Sequence, residues 1–284
     1  MPELPEVETI ARSLAAQVCD QRIVAIEKLD WERMIETPAP EVFRVALVGR
    51  CIVGVGRRGK WLLLTLDDAA TLALHLRMSG RVGVHEAAFV PDQHTHFVLA
   101  LDDGRYLAFR DPRKFGRVRL LNPEELDKLD KQLGPEPLAE TFRADDLAHI
   151  LARHRTRIKP LLLDQRTIAG MGNIYVDETL WHAQIHPLRL ASSLSKEETE
   201  LLHTAMRTVL QQAIANEGST LRDYRNGYGQ AGRNQHHFAV YGREGKPCPR
   251  CGTPVERLVI AQRGTRVCPS CQPAPKRSSD MECS

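Results

Sequence analysis

Nothing in this chain of 284 residues approaches the roughly 18 consecutive apolar residues of a membrane-spanning helix, so a helical membrane protein is excluded. The first residues also lack the basic and then apolar stretches of a secretory signal, and an intracellular location is expected. Charge of one sign is scarce. Lys and Arg number 39 against 36 Asp and Glu, and a net charge of +3 gives the whole chain little pull on a polyanion. Cysteine is sparse and unevenly placed, with seven in all, an odd number. What is present, 42% hydrophobic and 26% charged residues, describes an ordinary soluble protein long enough for two domains with separate cores.

The distribution of charge and cysteine says more than the totals. Between Gly242 and Arg277 eight basic residues stand against two acidic ones, a local balance of +6. Four cysteines lie there as Cys248-x2-Cys251 and Cys268-x2-Cys271 with sixteen residues between them. Paired CxxC units at this separation read as one structural zinc held by four thiolates. The alternative, a disulfide framework, needs an oxidising compartment that the missing signal does not supply. Cys19, Cys51 and Cys283 stand alone and read as reduced structural residues.

The chain opens Met1-Pro2-Glu3-Leu4-Pro5-Glu6-Val7-Glu8. A methionine before proline is normally trimmed, which exposes the secondary amine of Pro2. Such an amine is a nucleophile, and its adduct with an aldehyde carbon is an iminium whose charge cannot be lost from nitrogen. An α-amino group titrates near ~7.7–8.0, so part of it is neutral at physiological pH. From Pro5 on, Val7, Ile10, Ala11, Leu14 and Val18 recur at helical spacing. That helix would fix the amine beside Glu3, a candidate general acid or base. The same residues also suit a plain helix with acids complementing its dipole, and spacing does not exclude it.

Residues 22–29, 51–55, 60–66, 71–78, 96–101, 105–110 and 117–121 read as strands separated by Asp- and Gly-rich turns, with a helix over 42–48. An antiparallel β-sandwich with a helix or two against it follows, in an α+β chain. Arg57-Arg58-Gly59-Lys60 suits either phosphate oxygens or a solvated surface. Met78 in His75-Leu76-Arg77-Met78-Ser79-Gly80 is either core or held outward, and Asp111-Pro112-Arg113-Lys114-Phe115-Gly116 joins a turn, two cations and an aromatic ring. Exposed Met and Phe at loop tips are side chains that part stacked bases, and Arg reads base edges.

Past Gly134-Pro135-Glu136-Pro137 the apolar period becomes helical, over 145–153, 173–183, 195–216 and 220–226, with a capping box at Ser195. Gly170-Met171-Gly172-Asn173 is either a tight capped loop or a helix start that approaches a phosphate. Residues 255–262 and 265–267 read as a hairpin with Arg263-Gly264 at its turn. From Gln272 the chain is rich in Pro and Ser, and no fixed structure is expected.

The opening Met-Pro-Glu-Leu-Pro-Glu-Val-Glu-Thr, the loops 75–80 and 111–116, the segment from Lys159-Pro160 through Asp164-Gln165 to Gly170-Met171-Gly172-Asn173-Ile174-Tyr175, Ala261-Gln262-Arg263 and the CxxC pairs resemble the bacterial formamidopyrimidine-DNA glycosylases. Leu4 and Val7 are closer to that branch than to its endonuclease VIII relatives. The resemblance implies a bifunctional DNA glycosylase and abasic-site lyase for oxidised purines, acting by a Schiff base on the N-terminal proline and then β,δ-elimination. It implies Pro2, Glu3, Lys60 and Arg263 as catalytic, with Glu6 and Lys159 supporting them. Met78, Arg113 and Phe115 would fill the gap left by the extruded nucleotide. His94, Arg113, Lys159, Asn173 and Arg263 would bind DNA. Lys114, where the family usually has a second Arg, is a departure, and the loop between Tyr224 and Phe238 departs further, so no base contact is carried to it.

The implied organisation is a catalytic β-sandwich over 1–133, a helix-two-turn-helix domain over 134–226, a lesion-covering loop and connector over 227–241, a zinc finger over 242–272 and a tail over 273–284. The implied partner is duplex DNA with oxidised bases or abasic sites, bound by a monomer in the bacterial cytoplasm at the nucleoid, with no membrane. Two rivals stand beside it, an oxidised-pyrimidine glycosylase on the same fold and a catalytically silent DNA-binding protein.

Overall fold

Pro5 supplies the fixed φ of a first helical turn, and the chain opens as helix α1, Leu4–Val18, with Val7, Ile10, Ala11, Leu14 and Val18 buried along one face. The computed structural model describes residues 1–275. They form two compact units, Met1–Gly134 with Gln212–His236, and Pro135–Gln211 with the chain from His237 onward.

In the first unit α1 is followed by β1 (Ile23–Leu29), β2 (Ile35–Thr37), α2 (Pro40–Leu47), β3 (Ile52–Arg58), β4 (Trp61–Leu66), β5 (Thr71–His75), β6 (Arg81–His85), β7 (Thr95–Leu101), β8 (Tyr106–Arg110), β9 (Arg117–Leu121) and α3 (Pro123–Lys131). One sheet runs β1-β7-β8-β6 and the other β2-β9-β5-β4-β3. Their inner faces share one core that includes Leu14, Ile23, Phe43, Leu64, Leu74, Phe97, Leu99 and Phe109. The sandwich is antiparallel except where β2 pairs with β9 in parallel. That strand of three residues is too short to be read from sequence, and β6 offers only Val82 and Val84 on either side of Gly83, a residue that weakens a strand signal. The strand expected over 71–78 ends at His75, because the chain then turns back on itself. A Cβ on Gly80 would lie 2.5 Å from the Leu76 carbonyl oxygen.

Residues 212–236 close this unit, and the helix expected over 220–226 does not form. Asn226 instead closes a turn with the residues after it, its N–H donating to Gln230 O at 2.9 Å and its Oδ1 accepting the N–H groups of Tyr228 at 3.0 Å and Gln230 at 2.9 Å. The loop is tied within itself by Thr220 N–H to Gln235 Oε1 at 2.9 Å and Gly232 N–H to Thr220 Oγ1 at 3.0 Å. Gly227 donates to Ser13 Oγ on α1 at 2.8 Å.

The second unit holds α4 (Ala144–Ala152), α5 (Ile158–Leu163), α6 (Asn173–His182), α7 (Lys196–Ala215, whose last turn belongs to the first unit), β10 (Glu256–Ile260) and β11 (Arg263–Val267). The capping box at the start of α7 is formed, with Ser195 Oγ accepting Glu198 N–H at 3.2 Å and Glu198 Oε2 accepting Ser195 N–H at 2.8 Å. The hairpin turn lies two residues earlier than expected. Ala261 and Gln262, at φ of 48° and 59°, occupy it, and Arg263 pairs with Ile260 as the first residue of β11. Gln272, read as the start of a structureless tail, is fully buried, its Nε2 donating to Ile185 O at 2.9 Å. The remainder of that expected tail, from residue 276, lies outside the described residues.

Candidate catalytic and nucleic-acid-binding residues

Pro2, Glu3 and Glu6 are all buried at the head of α1. Glu6 Oε2 accepts the Glu3 N–H at 2.9 Å, while Oε1 accepts the Ser219 N–H at 2.8 Å. One carboxylate therefore fixes the backbone beside Pro2 to the segment after α7. Gly218 makes this possible with φ of +77°, since a Cβ there would meet the Tyr224 ring at 3.0 Å.

α1 packs on β3 and β4, the strands that flank Gly59-Lys60. Lys60 is 7% exposed. Its neighbours Arg57 and Arg58 are engaged within the unit. Arg57 Nε reaches Glu8 at 3.0 Å, and Arg58 pairs with Asp130 and donates to Leu133 O at 3.2 Å and Gly134 O at 2.8 Å. Both arginines are partly buried and ion-paired.

Met78, Arg113 and Phe115 come together and stay exposed, Met78 at 48% and Phe115 at 43%. Arg113 Nη1 lies 3.4 Å from Met78 Sδ, and its guanidinium sits 4.8 Å from the centre of the Phe115 ring. What holds them is Asp111, a residue singled out in sequence only as part of a turn. Its buried carboxylate accepts Phe115 N–H at 2.8 Å, Gly116 N–H at 2.7 Å and Ser79 Oγ at 2.5 Å, so it ties both loops to one point. His94 adjoins this point, its carbonyl accepting Asp111 N–H at 2.8 Å. His75, at the end of β5, accepts Arg77 N–H on Nδ1 at 3.1 Å. Burial pushes its imidazole down to about 3, and Arg77, Lys60 and Arg119 push it the same way.

In the second unit Gln165 secures the loop before α6, donating to Met171 O at 2.8 Å and accepting Gly170 N–H at 2.9 Å. Asn173, first in α6, donates from Nδ2 to Gly264 O in the hairpin at 2.9 Å. Arg263 is exposed. Lys159 departs from expectation. Its side chain is 0% exposed, so it offers no surface to DNA, and Nζ bonds Asp177 Oδ1 at 2.6 Å and Thr265 Oγ1 at 2.8 Å. Burial raises the Asp177 carboxyl against the pull of Lys159 and of the Arg266 N–H.

The four sulfurs of Cys248, Cys251, Cys268 and Cys271 all lie within 4.8 Å of one another. Zinc with thiolates at about 2.3 Å needs tetrahedral sulfurs about 3.8 Å apart. Separations of 3.9 Å for Cys248 and Cys271 and 3.4 Å for Cys251 and Cys268 fit that ion. The Trp181 indole N–H points at Cys248 Sγ from 3.4 Å and fixes its orientation. Four protein ligands close the zinc, so it folds the finger and leaves no position for substrate.

Three family models match in succession, the formamidopyrimidine-DNA glycosylase N-terminal domain over residues 1–118, its H2TH domain over 133–225 and the zinc finger found in FPG and IleRS over 245–274. Together with the site they define a DNA-repair glycosylase with a zinc finger. A formamidopyrimidine-DNA glycosylase of Roseiflexus sp. is 58% identical over 96% of this chain and 100% of its own length. The chain belongs to the formamidopyrimidine-DNA glycosylase family, also called Fpg or MutM. Among solved structures, a Lactococcus lactis FPG point mutant with Fapy-dG DNA matches at a TM-score of 0.90 and 38% identity, covering 96% of this chain and 100% of that one. The Lactococcus lactis Fpg with abasic-site DNA matches at 0.89 and 37%, with the same coverage. Other matches, also at 0.89, hold DNA with a carbocyclic 8-oxo-G or an oxidised pyrimidine. Among the described residues no helix is long and apolar enough to cross a membrane.

Proposed function

We propose that this chain is a bifunctional glycosylase and abasic-site lyase that, as a bacterial monomer, removes 8-oxoguanine and formamidopyrimidines from duplex DNA through Pro2. The observation that carries the reading is the buried Glu3 and Glu6 pair beside Pro2, with Glu6 fixing the Glu3 N–H at 2.9 Å. The damaged nucleotide leaves the stack, because C1′ is shielded inside a duplex. The neutral Pro2 nitrogen bonds to C1′ as the bond from C1′ to the base breaks, and the proton lost from that nitrogen goes to the departing base. Glu3 passes a proton to the sugar ring oxygen as the ring opens, leaving an iminium on Pro2. That cation acidifies the 2′ hydrogen, and β and then δ elimination break the two flanking phosphate bonds.

Met78, Arg113 and Phe115 fill the vacated space, with Arg113 on the orphaned cytosine. Lys60 and Arg263 neutralise phosphates near the reacting sugar, while Asn173 and His94 hold the backbone on either side. Lys159 supports Arg263 from beneath. Zinc holds the finger and takes no part in bond making.

The test is borohydride reduction during turnover on an abasic duplex and on an 8-oxoguanine:cytosine duplex. A covalent protein–DNA adduct on both is expected, with faster excision from 8-oxoguanine than from an oxidised pyrimidine. Tight binding with no adduct makes the chain a silent binder and overturns the reading.

A further inference from the structure

A hairpin of two strands leaves the outer edge of each strand without backbone partners. Arg263 pairs with Ile260 next to the turn, so alternation turns Gly264 and Arg266 toward the outer edge of β11. Two of these edge groups, Gly264 O and Arg266 N–H, are held by α5 and α6. Gly264 O accepts Asn173 Nδ2 at 2.9 Å and Lys159 Nζ at 3.4 Å, and Arg266 N–H donates to Asp177 Oδ2 at 3.0 Å. The second Asp177 oxygen receives Lys159 Nζ at 2.6 Å. Lys159 Nζ also donates to Thr265 Oγ1 at 2.8 Å, and Thr265 Oγ1 donates in turn to Arg263 O at 3.2 Å. A continuous relay therefore runs from Asp177 through Lys159 and Thr265 to the backbone of Arg263.

Asp177 is 1% exposed, and Lys159 and Thr265 are 0% exposed. Burying an ion pair is poor value as plain stabilisation, since apolar residues of the same volume commonly do as well. What it supplies is a unique arrangement, because each charge accepts only one set of partners. Asn173 and Asp177 are four residues apart on α6 and so share a face. One face of one helix thus grips the hairpin at successive backbone groups.

We propose that Asp177 is a positioning residue that holds Arg263 and Asn173 at a fixed separation, so that both reach the same DNA backbone together. This rests on the reading of Arg263 as a DNA contact. It assigns Lys159 to the relay rather than to the substrate.

The experiment is a double-variant cycle on the full-length zinc protein, read as Kd for a duplex carrying a tetrahydrofuran abasic analogue, with zinc content measured on each variant. Asp177→Asn puts an amide donor against either the Arg266 N–H or the Lys159 ammonium and is expected to weaken binding about ten-fold at one zinc per chain. Arg263→Ala is expected to do the same, and the pair together to cost no more than Arg263→Ala alone. Additive losses overturn the proposal, because a merely structural lesion does not need Arg263 to be felt. If Arg263→Ala leaves Kd unchanged, the reading of Arg263 itself falls and takes the proposal with it. Should Asp177→Asn lose zinc, Thr265→Val, which removes only the relay hydroxyl, is read in the same cycle against the same two outcomes.

Discussion

Glu6 and Ser219 are 213 positions apart in the chain, yet the Glu6 carboxylate accepts the Ser219 backbone N–H at 2.8 Å inside the first unit. The other oxygen of that carboxylate holds Glu3, so the residue next to the proposed nucleophile is set by a distant loop. Glu6→Gln turns one acceptor into a donor facing an N–H. A loss of about 1–3 kcal/mol in stability is expected, with borohydride trapping on an abasic duplex slowed about ten-fold. Thermal melting and single-turnover trapping read the two effects. A variant that traps at the full rate would show that Glu6 does not order Pro2.

Asp111 and Phe115 separate stability from contact. Phe115 is 43% exposed, so Phe115→Ala should leave stability within about 0.5 kcal/mol while weakening binding to damaged duplex. Asp111→Ala strands the N–H groups of Phe115 and Gly116 and should cost about 1–3 kcal/mol in addition to the same loss of binding. Chemical denaturation and duplex titration distinguish these outcomes. Equal stability for the two variants would contradict the account of Asp111.

His75 carries a pH prediction. Its folded value is about 3 against an ordinary 6.5, so between these values the unfolded chain binds more protons than the folded one. The stability His75 contributes as a neutral ring is therefore present above pH 6.5 and lost as pH falls through about 3. Protonation would also oppose the Arg77 N–H that Nδ1 accepts. The fall in melting temperature with acidification should be shallower in His75→Gln than in the parent, and parallel curves would contradict it.

Much of this was legible in the chain itself. Pro5, Val7, Ile10 and Leu14 mark α1, and the CxxC spacing marks the metal centre, because each signal lies within one local period. The loops bearing Met78 and Phe115 showed as turns, but the residues left Met78 open between core and surface, and the resemblance alone set it beside Arg113 and Phe115. The roles of Asp111, Asp177 and Ser219 were not legible, since each acts on residues brought near only by folding. Lys159 was placed at the active site by the resemblance, and only burial reveals that it faces Asp177. Residues 220–226 carry Leu221 and Tyr224 at a helical interval, but the Asn226 N–H goes to Gln230 O at 2.9 Å and Tyr224 O accepts the Thr220 hydroxyl at 3.0 Å, so these groups are not spent on a helix.

Zinc removal gives a further test. Chelation, or Cys251→Ser, should empty the four-cysteine site, unfold the finger and weaken duplex binding. Trp181, whose indole N–H faces Cys248 Sγ at 3.4 Å, should change its fluorescence as this happens. Unchanged emission and binding at zero zinc by metal analysis would contradict a structural role for the ion.

The most direct test of the whole account is peptide mapping of the borohydride adduct formed on an abasic duplex. The account predicts that the DNA remnant is carried on the nitrogen of Pro2 in chains that have lost Met1. An adduct on a lysine such as Lys60, or full activity in chains that retain Met1, would contradict it.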